Sequence, residues 1–222
     1  MGRTIVLKAS DGHQFGAYRA DPEMPARGGV VVIQEIFGVN RHIRAVADRF
    51  AALGYVAIAP QIFDRHQPDV ELSYEAEDVQ KGRDIRVEVG FDNPVLDIAA
   101  AVSALKDEGL KAATVGYCYG GALAWLAAAR IPALDASVGY YGTAAAFKDE
   151  APTCPVMLHY GDLDGMIPST DGAMLESMYP GVQSFVYPAD HGFNCDLRSS
   201  YHAESAERAL ARTTAFLAEH VG

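Results

Sequence analysis

A cysteine set between two glycines, where a predicted strand meets a predicted helix, constrains this chain more than any other feature. Residues 112–115 form an apolar run typical of a buried strand, and residues 122–130 favour a helix. Between them, residues 116–120 read Gly-Tyr-Cys-Tyr-Gly, which puts a glycine two residues to either side of Cys118. Such glycines relieve steric clashes where a chain turns sharply, so the sequence predicts a nucleophile elbow. A buried core cysteine beside a glycine-rich loop is the competing interpretation of this stretch taken alone.

Predicted strands and helices alternate along the rest of the chain. An antiparallel hairpin is expected first, in which residues 4–7 pair with residues 14–18. Further strands are expected at 30–33, 55–59, 112–115, 137–141, 155–160 and 183–187, and the main helices after 40, after 93, at 122–130, at 170–178 and beyond 202. This alternation implies an α/β fold, with a mostly parallel sheet between two layers of helices. No repeat or linker-like change in composition divides the chain, so one domain over residues 1–222 is expected.

Two details of the pattern concern helix starts and the wall of the expected site. Asn40 is placed to cap the first long helix, and Asn93 with Pro94 is placed to begin a later one. Residues 61–80 are polar and irregular at first and then acidic, which favours a surface excursion over the strand ends. Excursions of this kind often form the wall of a pocket.

The net charge and the cysteines exclude several classes of function. A formal net charge of −11 argues against nucleic acid and anionic membrane as partners, since both bind basic surfaces. A small anionic substrate is still compatible with it, because such a ligand responds to local arginines. No apolar run approaches the ~20 residues that span a bilayer, and a cytoplasmic location is expected. Cys118, Cys154 and Cys195 fit neither a disulfide framework nor a metal-ligand spacing, so no metal and no cofactor are expected.

Three reactive side chains follow predicted strands in the order nucleophile, acid, histidine. Cys118 follows the elbow strand, Asp164 lies in a glycine-flanked turn, and His191 follows the last strand. In a parallel sheet the site lies beyond the carboxyl ends of the strands, so these side chains are expected to meet there. Asp162 lies in the same turn and competes with Asp164. It is better suited to stabilising the turn, whereas Asp164 precedes the stretch that returns to the next helix.

Several stretches of the chain resemble the dienelactone hydrolase family of α/β-hydrolases. They are Gln34-Glu-Ile-Phe-Gly-Val-Asn40, Gly116-Tyr-Cys-Tyr-Gly-Gly-Ala-Leu123, Val138-Gly-Tyr-Tyr-Gly142, Asp164 with Pro168, and Ala189-Asp-His-Gly-Phe193. Together they span nearly the whole chain. The resemblance implies an α/β-hydrolase fold and a catalytic triad of Cys118, His191 and Asp164.

The resemblance also assigns parts to residues around the triad. The backbone N–H groups of Ile36 and Tyr119 would form an oxyanion hole, and Glu35 would lie close to the thiol. His191 would accept the thiol proton, and Glu35 would hold or relay that proton before substrate arrives. A salt bridge to Arg44, at the start of the next helix, is the structural alternative for Glu35.

Substrate recognition is where the chain departs from the family pattern. Members that act on dienelactone hold the substrate carboxylate with two arginines. One of these lies four residues after the catalytic histidine, where this chain has Cys195. A carboxylate is best held by a guanidinium, which offers two parallel donors. The candidates for substrate binding are the basic residues Arg198, Lys81, Arg83 and Arg86 and the aromatic residues Phe37, Tyr140 and Trp125, although core packing suits Trp125 better.

The leading hypothesis is a hydrolase of aromatic compound degradation that cleaves small, dienelactone-like lactones or enol esters through a thioester acyl-enzyme. A broader carboxylesterase or thioesterase on the same triad is the first alternative. A thiol-based binding or redox-sensing protein, in which Cys118 and Cys195 form a reversible disulfide, is the second. The expected partner is a small ester or lactone, and the expected state is a monomer or a small homo-oligomer.

Overall fold

An eight-stranded sheet organises the fold in a computed structural model that describes residues 2–222. The strands are β1 (Arg3–Lys8), β2 (Gln14–Ala20), β3 (Gly28–Ile33), β4 (Tyr55–Pro60), β5 (Ala112–Tyr117), β6 (Ala136–Tyr140), β7 (Val156–Gly161) and β8 (Val182–Tyr187). Their order across the sheet is β1-β2-β4-β3-β5-β6-β7-β8. The pairs β1–β2 and β2–β4 are antiparallel, and the other neighbouring pairs are parallel. The expected α/β class with an antiparallel N-terminal edge is confirmed.

Six helices flank this sheet in residues 2–222. They are α1 (Arg41–Ala52), α2 (Ala76–Val89), α3 (Asp92–Asp107), α4 (Tyr119–Arg130), α5 (Thr170–Met178) and α6 (Ala203–His220). Helices α1 and α6 pack on one face, and α3 and α4 pack on the other. Because both faces are covered, strands β3 to β7 are buried along their whole lengths. None of the described helices combines the length and apolar character that a membrane crossing demands.

The turn from β5 into α4 has the sharp geometry that the glycine spacing predicts. Cys118 lies between the strand and the helix with φ of 55° and ψ of −113°, a conformation that L-residues rarely adopt. A Cβ at Gly116 would overlap the carbonyl of Gly120, and a Cβ at Gly120 would overlap the carbonyl of Ile33. The two glycines therefore let β3, β5 and α4 approach one another at the elbow.

Substituting the second of these glycines is expected to be costly. The overlap involves backbone that cannot move aside, so Gly120→Ala should destabilise the fold by about 3 kcal/mol. Gly181→Ala is the matched control, because a Cβ there meets no atom within 4 Å, and its effect should stay within about 0.5 kcal/mol. Urea denaturation of both variants measures the difference. Equal stabilities would contradict the close approach described here.

Helix α2 was not predicted, because residues 61–80 were expected to form a surface excursion that is irregular at first and then acidic. The segment instead contains a short 3-10 helix, Ile62–Arg65, and then α2, which begins at Ala76. Charged residues occur on several sides of α2, and Gly82 lowers its helix propensity, so its sequence lacks a clear apolar stripe. Gly82 is required by packing, since a Cβ there would overlap the carbonyl of Ile36. Helix α2 is therefore held closely against the loop that follows β3.

The two predicted helix starts have different outcomes. Asn40 caps α1, because its side chain accepts the N–H of Ile43 at 3.2 Å. Asn93 does not cap α3, which begins one residue earlier at Asp92 and has no side-chain cap. Pro94 still lies in the first turn, where its missing N–H removes no helical hydrogen bond.

Candidate active site

Three loops at the carboxyl edge of the sheet bring the reactive side chains together. Cys118 follows β5 and stands at the start of α4, half-buried. Asp164 follows β7, and His191 follows β8. Since β5, β6, β7 and β8 run parallel in adjacent positions, their carboxyl ends lie at the same edge. The structure therefore groups these residues where the sequence predicted a site.

The three side chains form a continuous hydrogen-bonded line. Nε2 of His191 lies 3.1 Å from Sγ of Cys118, and Nδ1 lies 2.8 Å from Oδ2 of Asp164. The other oxygen of Asp164 accepts the backbone N–H groups of Met166 and Ile167 at 2.8 and 3.0 Å. These bonds fix the carboxylate so that one oxygen faces the imidazole.

The choice between the two aspartates of this turn follows from burial and contact. The side chain of Asp164 is only 1% exposed and meets His191, whereas Asp162 is exposed to solvent. Asp164, and not Asp162, therefore has the position of an acid that orients the histidine.

The contacts of His191 and Asp164 shift the pKa of each group in the direction that favours its charged form. Burial alone would lower the pKa of His191, but hydrogen bonds with Asp164 and Cys118 raise it to about 10. Burial alone would raise the pKa of Asp164, but its hydrogen bond with His191 lowers it. A protonated imidazole beside a sulfur favours the thiolate, which is the nucleophilic form of cysteine.

The raised pKa of His191 predicts a pH-dependent stability. An unfolded histidine titrates near ~6.5, so the interactions of the folded imidazolium stabilise the protein fully below that pH. Their contribution falls as the pH rises and is lost above about 10. The stability advantage of the wild type over His191→Gln should therefore shrink between these values, by at most about 1.4 kcal/mol per pH unit. Urea denaturation across this range measures it.

His66→Gln is the control for that measurement, because His66 is exposed on the surface. Its unfolding free energy should stay within about 0.5 kcal/mol of the wild type. A difference between wild type and His191→Gln that stayed constant over the whole range would contradict the assignment.

Two backbone donors near Cys118 have no acceptor among the described residues. Tyr119 is the first residue of α4, so its N–H has no partner within the helix. Ile36 lies in the loop after β3, and its N–H likewise meets no backbone or side-chain acceptor in residues 2–222. Both residues line the same cavity as Cys118. Free N–H groups beside a nucleophile are the parts of an oxyanion site.

The cavity beside Cys118 has a volume of about 240 Å³ and a mixed lining. Its apolar part comes from the side chains of Phe37, Val79, Phe91, Met166 and Ile167. Three cations, Arg83, Arg86 and Arg198, stand around it, and the guanidinium of Arg86 lies over the ring of Phe91 at 5.2 Å. A small apolar ligand that carries a negative charge matches this lining.

Three of the predicted pocket residues lie elsewhere. Tyr140 is buried, with its hydroxyl 2.7 Å from that of Thr213, because it points into the core behind β6. Lys81 is exposed on the solvent side of α2 and does not line the cavity. Trp125 packs in the core, which was the role that suited it better, and its indole N–H donates to the carbonyl of Phe147.

Glu35 is fully buried, and its direct partners differ from those expected. Its Oε2 accepts the hydroxyl of Tyr74 at 3.1 Å. Its Oε1 lies 3.5 Å from Nη1 of Arg198 but receives no hydrogen bond in the described chain. Arg44, the alternative partner, forms its ion pair with Glu71 instead. Glu35 therefore stands between a phenol and a pocket arginine.

Tyr141 lies near both Glu35 and His191. Its ring packs against that of His191 at 5.1 Å, and its own φ is 38°. Burial raises the pKa of its hydroxyl well above the usual range, and the nearby Glu35 and Cys118 raise it further. Tyr141 is thus near both Glu35 and Cys118, and no hydrogen bond joins the side chains of these two residues in residues 2–222.

Behind Glu35 the fold gathers a cluster that spacing along the chain did not reveal. His42 and Cys195 are buried there, and one ligand atom each from these residues and Glu35 lies within 4.8 Å of the others. Burial, together with the charge of Glu35, raises the pKa of the Cys195 thiol to about 11. The sequence did not predict this cluster, because Glu35, His42 and Cys195 come from separate segments: the loop after β3, the start of α1 and the loop after β8. Cys118, Cys154 and Cys195 are all free thiols.

Comparisons with known proteins show which family the chain is similar to. Residues 15–221 match the model of the dienelactone hydrolase family. The carboxymethylenebutenolidase of Pseudomonas putida is 32% identical over 226 residues, which cover 96% of this chain and 95% of the relative. Carboxymethylenebutenolidase 1 of Cupriavidus pinatubonensis is 31% identical over 228 residues, with coverage of 96% and 95%.

Among solved structures, a candidate dienelactone hydrolase from Klebsiella pneumoniae superposes with a TM-score of 0.84 at 30% identity. The match covers 98% of this chain and 100% of that one. An esterase from Pyrococcus furiosus superposes with a TM-score of 0.75 at 15% identity, which reflects the fold alone. By its sequence and its fold, the chain belongs to the dienelactone hydrolase family.

Proposed function

We propose that the protein hydrolyses small lactones or enol esters of the dienelactone type, with Cys118 as nucleophile. The observation that carries the proposal is the line from Cys118 through His191 to Asp164, with separations of 3.1 and 2.8 Å, at the wall of the cavity. Family membership supports ester or lactone hydrolysis as the reaction class. Three free thiols, one of them the nucleophile, fit a reducing compartment such as the cytoplasm.

The proposed reaction has an acylation and a deacylation step. His191 takes the proton of Cys118, and the thiolate attacks the substrate carbonyl carbon. The resulting oxyanion accepts the N–H groups of Ile36 and Tyr119, each worth roughly 3 kcal/mol in the transition state. The C–O bond of the ester breaks, the leaving oxygen takes the proton from His191, and a thioester remains on Cys118.

Water then completes the cycle. His191 removes a proton from a water molecule, which attacks the thioester carbonyl. The C–S bond breaks, the carboxylic acid product leaves and loses its proton to solvent, and the proton on His191 stays with the sulfur and histidine pair. Asp164 keeps the imidazole in the orientation and tautomer that both steps require.

Glu35 has an indirect role in this proposal, because it acts through the residues that it contacts. Its contacts to Tyr74 and Arg198 hold a guanidinium at the edge of the cavity. A substrate carboxylate that binds Arg198 would compete with Glu35 for it. This proposal differs from direct storage of the Cys118 proton, because no hydrogen bond joins Glu35 to Cys118 in residues 2–222.

An anionic substrate is favoured by the arginines of the cavity. Arg83→Met and Arg86→Met should each raise KM for a carboxylate-bearing dienelactone by about 10- to 100-fold, since a charged hydrogen bond contributes about 1.5–3 kcal/mol. The neutral ester p-nitrophenyl acetate should be affected less than about threefold. Steady-state kinetics on both substrates separates charge recognition from a general loss of activity.

Lys81→Met is the matched control, because Lys81 is a cation of the same helix that does not line the cavity. It should leave KM for both substrates unchanged. Equal losses on the charged and the neutral substrate would argue against carboxylate recognition by α2.

A broader carboxylesterase or thioesterase is the second candidate. It is favoured by Cys195, which stands where members of the family that act on dienelactone have an arginine, and by the apolar part of the cavity lining. If kcat/KM for p-nitrophenyl acetate exceeded that for the dienelactone, this second function would replace the first.

A further inference from the structure

We propose that Glu35, His42 and Cys195 form a binding site for a divalent transition metal ion, with Zn²⁺ as the best match. The site lies behind the wall of the substrate cavity and shares no residue with the line from Cys118 to Asp164. A carboxylate, an imidazole and a thiol together suit zinc or cobalt and are unsuited to Mg²⁺ or Ca²⁺, which prefer oxygen ligands alone. The observations that support this site do not rest on the proposed hydrolase function, although Glu35 takes part in both proposals.

The separations of the ligand atoms are close to those of a coordinated ion. The three atoms lie within 4.8 Å of one another. Two ligands of a tetrahedral zinc ion are about 3.5 Å apart, so a side-chain movement of about 1 Å closes the site. All three residues are buried, Glu35 and Cys195 completely and His42 to within 1%.

His42 is oriented as metal-binding histidines usually are. Its Nδ1 lies 3.2 Å from Oδ1 of Asp196. Its Nε2 is buried and has no hydrogen-bond partner among residues 2–222. A carboxylate on one ring nitrogen fixes the tautomer and leaves the lone pair of the other nitrogen for the ion. A bound metal ion would give this buried nitrogen the partner that it lacks in residues 2–222.

Glu35 also offers an unused oxygen. Its Oε2 already accepts the hydroxyl of Tyr74, while its Oε1 has no hydrogen bond. The Tyr74 hydroxyl also lies against the thiol of Cys195, so it contacts two of the three proposed ligands. Binding as thiolate, Cys195 releases its proton, and the two negative ligands then balance the charge of the ion.

Arg198 is the competing cation at this position. Its Nη1 lies 3.5 Å from Oε1 of Glu35, at the edge of the cavity. An ion bound to Glu35 would replace this contact and leave the guanidinium free to face the cavity. Metal binding and the charge presented to a substrate are therefore linked through one carboxylate.

The test uses Cys118→Ser as the starting protein, because Cys118 and His191 could themselves bind a metal. Titration with Co²⁺ should give a thiolate-to-cobalt charge-transfer band at one ion per chain, and Zn²⁺ should displace it. Adding Cys195→Ser or His42→Gln should abolish the band. Adding Asp196→Asn should weaken binding by about 10- to 100-fold, and adding Cys154→Ser should leave it unchanged.

A second measurement needs only the Cys118→Ser protein, so it tests the site even if Cys195→Ser or His42→Gln prevents folding. In the folded Cys118→Ser protein, Zn²⁺ should slow alkylation of Cys195 relative to Cys154, as peptide mass analysis reports, and Mg²⁺ should not. Absence of the cobalt band in Cys118→Ser, persistence of the band without Cys195, or equal alkylation with either ion would each overturn the site. None of these readouts depends on hydrolase activity.

Discussion

Replacing Cys118 with alanine is expected to lower kcat/KM for a small lactone or ester by at least about 10⁴-fold. The sulfur stands on the elbow between β5 and α4, 3.1 Å from Nε2 of His191, and no other cysteine contacts that imidazole in residues 2–222. Removing it eliminates the covalent route and leaves only substrate binding and the backbone donors. Initial rates on a lactone and on p-nitrophenyl acetate measure the loss.

Two further variants make this prediction specific. Cys154→Ser should retain activity within about twofold, since Cys154 lies outside the cavity lining. Mass spectrometry of the wild type during turnover should detect an acyl group on Cys118. The nucleophile would be wrongly identified if Cys118→Ser kept full activity while Cys195→Ser lost it.

Asp164→Asn is expected to reduce kcat by about 10⁴-fold with little change in KM. Asparagine keeps an oxygen for the N–H groups of Met166 and Ile167. Its amide nitrogen, however, replaces the oxygen that faces Nδ1 of His191 and would donate to it. The imidazole then carries its proton on Nε2, facing Cys118, and cannot accept the thiol proton.

The neighbouring aspartate supplies the control. Asp162→Asn alters an exposed residue of the same turn and should change kcat less than about twofold. The kinetic comparison of the two variants decides which carboxylate orients the histidine. Comparable losses in both would mean that the turn as a whole, and not the contact of Asp164 with His191, is required.

The fold and the hydrogen-bonded line from Cys118 through His191 to Asp164 could be predicted because local sequence determines them. Apolar runs marked the buried strands, and glycines at 116 and 120 marked the place where β3, β5 and α4 meet. His191 and Asp164 were identifiable since each directly follows a strand of a parallel sheet. In such a sheet, position after a strand largely fixes position in space.

The surroundings of Glu35 could not be predicted in the same way. Its contacts come from the packing of the loop after β3 against residues near 74 and 195, and side-chain packing between distant loops leaves no periodic signal. Helix α2 was not predicted because its charges occur on several sides and leave no clear apolar stripe. The cap expected at Asn93 was wrong because α3 begins one residue earlier without a side-chain cap.

The contact at Gly82 has a consequence for how such an enzyme can be altered. Gly82 lies in the middle of α2, the helix that carries Arg83 and Arg86, and it touches the carbonyl of Ile36 directly. A larger residue there would push the helix outward or shift the carbonyl of Ile36, the residue whose N–H is a proposed oxyanion donor. Substrate selectivity and turnover are therefore expected to change together in laboratory evolution of α2, and separating them would require mutations in other segments.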